Sequence, residues 1–170
     1  MKRVWRTGLL IAAIGLAACT NPARFGAGGG DGPVGAPGAV VPGSANDPTS
    51  TVYFQQSVGD RVLFEVDQAV LTDIGRSTLD GQAVWLTTNA DYTAMIEGHA
   101  DEQGTREYNL ALGARRANAA QEYLISKGVA ATRLRVVSYG KERPIEVCSD
   151  EACYAKNRRA VTVLAGGLAS

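Results

Sequence analysis

Glycine and proline are concentrated in one part of this sequence, and that distribution limits where the chain can fold. Residues 20–50 hold five of the six prolines and eight of the twenty glycines. This segment has no apolar periodicity, so we predict a linker that is flexible at its glycines and stiffer around its prolines. About thirty such residues have a mean span near 30 Å and a maximal reach near 100 Å. The folded domain is therefore expected at residues 51–166, with a short tail at 167–170.

Residues 1–18 have the pattern of a secretory signal peptide. Three basic residues, Lys2, Arg3 and Arg6, precede an apolar run over residues 9–16. The run is too short to span a bilayer as a mature helix, and small residues follow it. This segment is accordingly left out of the predicted fold.

The sequence LAAC at residues 16–19 resembles the lipobox of bacterial lipoproteins. In that class of protein, lipid is attached to the cysteine thiol, and cleavage leaves this cysteine as the first residue of the mature chain. The resemblance implies that Cys19 is the lipidated residue. Each methylene group of the attached lipid that is buried in the bilayer strengthens membrane binding by about 0.8 kcal/mol. Threonine at position 20 is compatible with transfer to the outer membrane, so we expect the chain on its periplasmic face.

The apolar pattern of residues 51–166 alternates between strands and helices. Thr105 is a suitable N-cap for the second helix, and Gly128 is a suitable stop. The order βαβαββ predicts an α/β (α+β) two-layer sandwich, in which two helices cover one face of a mixed sheet. The predicted strands cover 61–66, 92–98, 133–140 and 158–166, and the predicted helices cover 73–89 and 105–127.

The stretch GHADEQGTREYNLALGARRA, residues 98–117, holds the only histidine of the chain, His99. No G-x-S-x-G elbow accompanies it for nucleophilic catalysis, and one histidine with scattered acids lacks the spacing of a zinc site. Glu97 and Asp101 are a pair of carboxylates of the kind that glycosidases use for acid–base catalysis, but no other feature of the sequence supports that activity. We therefore predict no catalysis, metal or cofactor. His99 is assigned to packing at a strand end, with a hydrogen bond that supports the next loop.

Two charged residues of this stretch allow two interpretations each. Asp101 lies in a loop before a helix, where a carboxylate commonly faces the positive helix terminus. Arg116 lies about 100° around the helix from Ala117, on the flank of a small-residue stripe, where an arginine is commonly solvated. Both are also candidates for a binding site.

The chain has 17 basic and 17 acidic side chains. Because the net charge is balanced, there is no positive electrostatic field to attract nucleic acid, which we exclude as a partner.

The spaced motifs of residues 52–164 resemble the OmpA-like peptidoglycan-binding domain, and more narrowly the peptidoglycan-associated lipoproteins of the Tol–Pal system. The resemblance rests on VLFEVD at 62–67, GHADEQGTREYNLALGARRANA at 98–119, VVSYGKERP at 136–144 and YAKNRRAV at 154–161. The signal peptide, lipobox and tether match the same architecture. The family's domain binds the diaminopimelate side group of the peptidoglycan stem peptide.

The resemblance implies which residues bind this ligand. The family's aspartate and arginine correspond to Asp101 and Arg116. The free end of diaminopimelate carries an ammonium for Asp101 and a carboxylate for the bidentate fork of Arg116. The same motifs place further residues at the pocket: Asn109, Thr105, Leu112, Phe64 and Glu65. The family often has aspartate at the position of Glu65.

A straight helix from Thr105 places Arg116 about 16 Å along its axis from the cap. Either the Asp101 loop folds back over the helix, or Gly113 marks a break in it.

Cys148 and Cys153 are expected to form a disulfide in the oxidising exported location. Two free thiols are the alternative.

The resemblance therefore implies a lipoprotein that tethers the outer membrane to peptidoglycan without catalysis. Its implied partners are the diaminopimelate-containing stem peptide, TolB, whose binding excludes peptidoglycan, and other Tol proteins. Within the Tol–Pal system it would maintain the envelope and its constriction during cell division. The alternatives are a general OmpA-like wall anchor outside that system and, in another class, an envelope hydrolase.

Overall fold

The computed structural model describes residues 40–147 and 149–166. The predicted signal peptide at 1–18, the predicted lipidation site Cys19, the predicted linker up to residue 39, Cys148 and the predicted tail at 167–170 lie outside the described residues. Within the described part, no helix is both long and apolar enough to span a membrane.

Four strands of the described chain form one mixed sheet in the order β1-β4-β2-β3. Strand β4 pairs antiparallel with β1 and β2, whereas β2 and β3 are parallel. The strands are β1 (Arg61–Leu63), β2 (Tyr92–His99), β3 (Leu134–Gly140) and β4 (Arg159–Gly166). The predicted fold class is confirmed, although β1 is shorter than the predicted 61–66 because the chain turns at Asp67, whose φ is 56°.

Both long helices have the predicted bounds to within two residues. They are α2 (Asp73–Thr88), capped by Thr72, and α3 (Arg106–Ser126), capped by Thr105. Two short helical segments were not predicted: α1 (Thr51–Tyr53), which continues as a π-helix (Phe54–Gly59), and α4 (Glu151–Asn157). Both are too short to give a clear apolar period. A 3₁₀ turn (Ala131–Arg133) precedes β3.

The hydrophobic core lies between the long helices and one face of the sheet. Alternate residues of β2, Ala94 and Ile96, are buried in it, whereas Met95 between them is 40% exposed. The predicted small-residue stripe of α3 is confirmed, because Ala117 and Ala120 are buried against this layer.

Helix α3 approaches β2 most closely at a pair of glycines. A Cβ placed on Gly98 would lie 1.8 Å from the carbonyl oxygen of Gly113, and one on Gly113 would lie 2.4 Å from Ser138 Oγ. The Ser138 hydroxyl also donates a hydrogen bond to the Leu110 carbonyl, over 2.6 Å. Because α3 continues without interruption from residue 106 to 126, Gly113 is a packing contact and not a break.

The segment before α1 is fastened at the start of β2. The Trp85 indole donates to the Pro48 carbonyl over 2.8 Å, and the Tyr92 hydroxyl donates to the Thr49 carbonyl over 3.1 Å. An eight-residue strand spans roughly 23 Å between Tyr92 and His99. The segment that precedes α1 therefore meets the domain at the opposite end of β2 from the residues singled out by the sequence.

Candidate functional site

A cleft of about 310 Å³ lies beyond the carboxyl end of β2. Its walls are the loop after β1, the loop after β2 and the first turns of α3. The lining residues are Val66, Asp67, Asp101, Gln103, Gly104, Tyr108, Asn109 and Leu112. Three of the residues that the sequence assigned to the ligand, Asp101, Asn109 and Leu112, are thus brought together.

Arg116 lies fully buried behind this cleft, with 0% of its surface exposed. Its Nε donates to the Gln68 carbonyl (2.7 Å), Nη1 to the His99 carbonyl (2.9 Å) and Nη2 to the Glu65 carbonyl (3.1 Å). Its guanidinium carbon lies 5.3 Å from the centre of the Phe64 ring. Arg116 is therefore not a solvated arginine, because it fastens the loop after β1 to the end of β2.

Burial lowers the pKa of Arg116 to about 10, and the negative charge of Asp101 acts in the opposite direction. A group with this pKa remains protonated at neutral pH. The site thus keeps a desolvated positive charge beneath the cleft, which strengthens its interaction with any anion that reaches it.

Asp101 is 7% exposed and already has partners on both carboxylate oxygens. One oxygen accepts from the backbone N–H of Gln103 (3.1 Å), and the other lies 3.2 Å from Nη1 of Arg158. Arg158 is itself buried and also pairs with Glu151 at the start of α4. The sequence interpretation missed Arg158, although the motif YAKNRRAV contains it.

Asn109 connects the Asp101 loop to α3. Its Nδ2 donates to the carbonyls of Asp101 (3.3 Å) and Gln103 (2.7 Å). Of the two geometries that the sequence allowed, the structure has the one in which the loop folds back over the helix. This explains how Asp101 and Arg116 lie at one site despite the length of helix between Thr105 and Arg116.

The other predicted ligand residues lie around the cleft and do not line it. Thr105 is exposed and caps α3, accepting from the Tyr108 backbone N–H over 3.2 Å. Phe64 and Glu65 line a neighbouring groove of about 760 Å³ between β1, α2 and α4. Glu65 is exposed, and only its carbonyl contacts Arg116. Asp67, which the sequence did not single out, lines the cleft itself.

Comparison with known proteins gives the family. A model of the OmpA family matches residues 63–158, which is more than half of the chain and spans the cleft from β1 to Arg158. The chain belongs to the OmpA family. A protein of Mesorhizobium japonicum named peptidoglycan-associated lipoprotein is 54% identical over 129 residues, covering 76% of this chain and 73% of the relative. A relative of the same name from Agrobacterium fabrum is 45% identical over 169 residues, covering 98% and 92%.

Solved structures agree with this OmpA-family assignment. The crystal structure of the peptidoglycan-associated lipoprotein from Burkholderia pseudomallei has a TM-score of 0.63 and 37% identity, covering 71% of this chain and 98% of that one. The C-terminal domain of Helicobacter pylori MotB has a TM-score of 0.60 at 21% identity, which shows a shared fold. The resemblance to the peptidoglycan-associated lipoproteins is thus confirmed.

His99 differs from the expectation in one respect. Its ring is buried at the strand end, but neither ring nitrogen has a hydrogen-bond partner among the described residues. Glu97 Oε2 lies 3.7 Å from Nε2, beyond hydrogen-bond distance. The expected side-chain hydrogen bond was therefore wrong, and His99 supports the site through its carbonyl, which accepts from Arg116.

We expect His99 to make the stability of this OmpA-family domain depend on pH. Burial, with Arg159 and Arg143 adding to it, lowers its pKa to about 4. The unfolded chain, with a histidine pKa near 6.5, then binds more protons between these values, so stability is full above about pH 6.5 and falls toward pH 4. Urea unfolding should show a loss of roughly 1 to 2 kcal/mol from pH 7 to pH 5. His99→Leu, which removes the only histidine, should abolish that loss; an equal loss in both proteins would contradict the assignment.

Cysteine and metal chemistry lie outside the cleft. Cys153 is buried on α4 and is disulfide-bonded. Because Cys148 is not described, its pairing with Cys153 remains a prediction. Across residues 40–147 and 149–166, no group of three or more histidine, cysteine, aspartate or glutamate side chains is placed to hold a metal ion.

Proposed function

We propose that this chain is an outer-membrane lipoprotein that binds the diaminopimelate-containing stem peptide of peptidoglycan. Lipid on Cys19 holds it at the periplasmic face, the linker spans part of the periplasm, and the domain binds the cell wall without catalysis. The observation that carries the proposal is the cleft beyond β2, where Asp101 and Asn109 lie over the buried Arg116. Membership of a family whose relatives are named for peptidoglycan association supports it.

The donors of Arg116 suit a carboxylate ligand. A guanidinium has five N–H groups, and three of those of Arg116 go to protein carbonyls, one from each nitrogen. One N–H therefore remains on each terminal nitrogen, and a ligand carboxylate can accept from guanidinium N–H groups with both of its oxygens. Because Arg116 is covered in this conformation, a ligand carboxylate reaches it only when the loop at residues 65–68 moves.

Asp101 suits the ammonium of the same diaminopimelate. Its carboxylate is held in place by the Gln103 N–H and Arg158, so little rotamer entropy is lost when a ligand binds. A zwitterion that meets Asp101 and Arg116 together leaves the net charge of the site unchanged. Such a ligand requires no charged surface on the protein, in agreement with a net charge of zero.

The tether geometry fits a wall anchor. The membrane-proximal segment is fastened at Pro48 and Thr49, while the cleft lies at the other end of β2. The domain can thus bind peptidoglycan at the end of β2 opposite to the one where Pro48 and Thr49 are fastened. In the Tol–Pal system, we further propose TolB as a partner whose binding excludes peptidoglycan. The alternative within the binding class is a general OmpA-like wall anchor without Tol partners.

Co-sedimentation of the soluble domain with purified sacculi tests the proposal. In Asp101→Asn, the ammonium loses its charged partner, a loss that typically costs 2–5 kcal/mol. We therefore expect affinity to fall by about 30-fold or more. Glu102→Gln, the matched control, removes a carboxylate that lies beside Asp101 but does not line the cleft, and it should bind normally.

Two further readouts separate binding from folding and from hydrolysis. Free meso-diaminopimelate in excess should release the unmutated domain from sacculi, a result that does not depend on any variant folding. Retention under this competition, together with normal binding by Asp101→Asn, would refute the site. Release of soluble muropeptides during incubation would favour an envelope hydrolase instead.

A further inference from the structure

The groove between β1, α2 and α4, about 760 Å³ in volume, runs along the free edge of the sheet. All five residues from Arg61 to Glu65 line it. Successive side chains of a strand point to opposite faces, so a cavity that touches five in a row lies along the edge of the strand and not over one face. Strand β4 occupies the other edge of β1. The groove therefore follows the outer edge, where the described residues place no further strand.

Two residues of β1 present unused backbone groups to this groove. The Asp60 carbonyl accepts from the N–H of residue 162 over 2.7 Å, and the Phe64 N–H donates to the carbonyl of residue 158 over 2.9 Å, both towards β4. Because backbone groups alternate sides along an extended strand, the N–H and C=O of Arg61 and Leu63 point to the outer edge. They form no hydrogen bond to α2, α4 or another segment of the described chain. A strand laid in the groove therefore finds two donors and two acceptors there.

Apolar side chains border the same edge. Leu63 is 48% exposed, and Ile74 in the first turn of α2 is 82% exposed. Both line the groove. Natural sheets usually protect a free edge with charged side chains, proline or a covering loop, whereas a leucine and an isoleucine flank this one. Exposed apolar groups beside unpaired backbone groups indicate an edge that pairs with another chain.

The charges of the groove favour a basic partner. Its lining has two arginines and three carboxylates, which belong to Glu65, Asp73 and Glu151. Arg61 is paired with Asp60 over 2.7 Å, and Arg158 is buried and paired with Asp101. Both positive charges are thus balanced within the domain. Two of the carboxylates, with side chains 100% and 64% exposed, can still meet a cation. Lysine or arginine on an incoming segment is therefore attracted, and acidic residues are repelled.

We propose that this groove is a docking site for an extended segment of a partner protein that carries lysine or arginine beside β-branched residues. The segment adds to β1 as a fifth strand of the sheet. Its backbone pairs with Arg61 and Leu63, its apolar side chains contact Leu63 and Ile74, and its basic residues meet the carboxylates. In this mode, main-chain hydrogen bonds supply affinity and side-chain contacts supply specificity. The inference goes beyond wall binding, because the groove shares no lining residue with the cleft at Asp101.

The shape and the sequence argue against two other occupants. A second copy would have to insert one of its sheet edges, and the rest of that domain has no room between α2 and α4. Residues 20–39 of this chain are rich in glycine and proline. These residues are disfavoured in strands, and proline has no N–H for the ladder. A single extended segment of a separate protein meets neither obstacle.

Binding of synthetic peptides to residues 20–170 of the chain tests the proposal. One probe is the acetylated and amidated heptapeptide KVTVTVK, and the other is EVTVTVE, in which the end charges are reversed. We expect KVTVTVK to bind with a Kd below about 1 mM and EVTVTVE to bind at least about tenfold more weakly. Two further versions of KVTVTVK carry backbone N-methyl groups, one on its valines and the other on its threonines. Because only one set of alternate residues faces β1, one version should keep its affinity and the other should lose it.

Amide hydrogen exchange, followed by NMR, reports strand pairing directly and depends on no variant. Saturating KVTVTVK should slow exchange at the Arg61 and Leu63 amides by about tenfold or more. The amide of Val62, which already faces β4, is the internal control and should change little. Binding without protection of the two outward amides would overturn the addition of a strand.

Two variants of α2 separate the groove from the rest of the surface. Ile74→Lys removes an apolar contact and repels a basic peptide, so KVTVTVK should bind at least about tenfold more weakly. Val84→Lys, the matched control, makes the same kind of change at an exposed position of α2 outside the groove and should bind normally. Both variants should bind sacculi as the unmutated chain does, so a failure of this proposal is distinguishable from a failure of wall binding.

The remaining outcomes are equally sharp. Absence of KVTVTVK binding at millimolar concentration would overturn the docking site, as would unchanged affinity in Ile74→Lys. Equal losses in the two N-methylated peptides would overturn the strand geometry, and equal binding of EVTVTVE would overturn the basic character of the partner. A chain that dimerises in sedimentation, with dimerisation abolished by Ile74→Lys, would assign the groove to a second copy and not to a partner.

Discussion

Replacing Gly98 with alanine should cost the domain more than about 4 kcal/mol of its free energy of unfolding, an exceptional effect for a single methyl group. The added Cβ would lie 1.8 Å from the Gly113 carbonyl oxygen and 2.6 Å from its carbon. Both atoms belong to the backbone of α3, so no side-chain rotation can make room. The helix must move off the sheet, and the contacts of Ala117 and Arg116 with the layer below must change with it. Chemical denaturation of the purified domain measures the loss.

Gly81→Ala is the matched control for this prediction. Gly81 lies on the exposed side of α2, where an added Cβ would meet only the Val58 side chain, at an ordinary 3.4 Å. The same chemical change should therefore stabilise the domain by roughly 0.5 to 1 kcal/mol through helix propensity. If Gly98→Ala were as stable as Gly81→Ala, the close approach of α3 to β2 in this structure would be incorrect.

The features that could be predicted from the sequence are those that depend on neighbours along the chain. The bounds of α2 follow from apolar periodicity, and those of α3 follow from apolar periodicity together with the cap Thr105. The burial of Ala117 and Ala120 follows from their spacing alone. The resemblance of whole motifs placed Asp101 and Asn109 at one site, which local patterns would not have done.

The features that could not be predicted depend on segments distant in sequence. Helical position alone places Arg116 on the flank of α3, where solvent is the usual neighbour. It is buried because the loop after β1, about fifty residues earlier, folds over it and presents the Glu65 and Gln68 carbonyls. Arg158, likewise, acquires its role only because α4 brings Glu151 beside it.

This burial changes what substitution of Arg116 should do. The resemblance implies that Arg116 binds the ligand carboxylate, so Arg116→Ala should abolish wall binding. The structure predicts that the domain also loses roughly 3–5 kcal/mol of stability, because three backbone carbonyls, of which that of His99 is buried, lose a charged donor at once. A domain of ordinary stability has only about 5–15 kcal/mol in total. Urea unfolding should show the shift, and proteolysis should find the loop at 64–68 more accessible.

Two neighbouring substitutions make the test of Arg116 decisive. Arg115→Ala removes the adjacent, exposed arginine and should change stability by less than about 0.5 kcal/mol. Arg116→Lys keeps the charge but cannot reach three carbonyls in one plane, so its stability should lie between those of Arg116→Ala and the unmutated domain. Should Arg116→Ala prove as stable as Arg115→Ala, the guanidinium would not hold the loop after β1. Arg116 would then be free to act on the ligand alone, and the coupling between loop movement and carboxylate binding would have no physical basis.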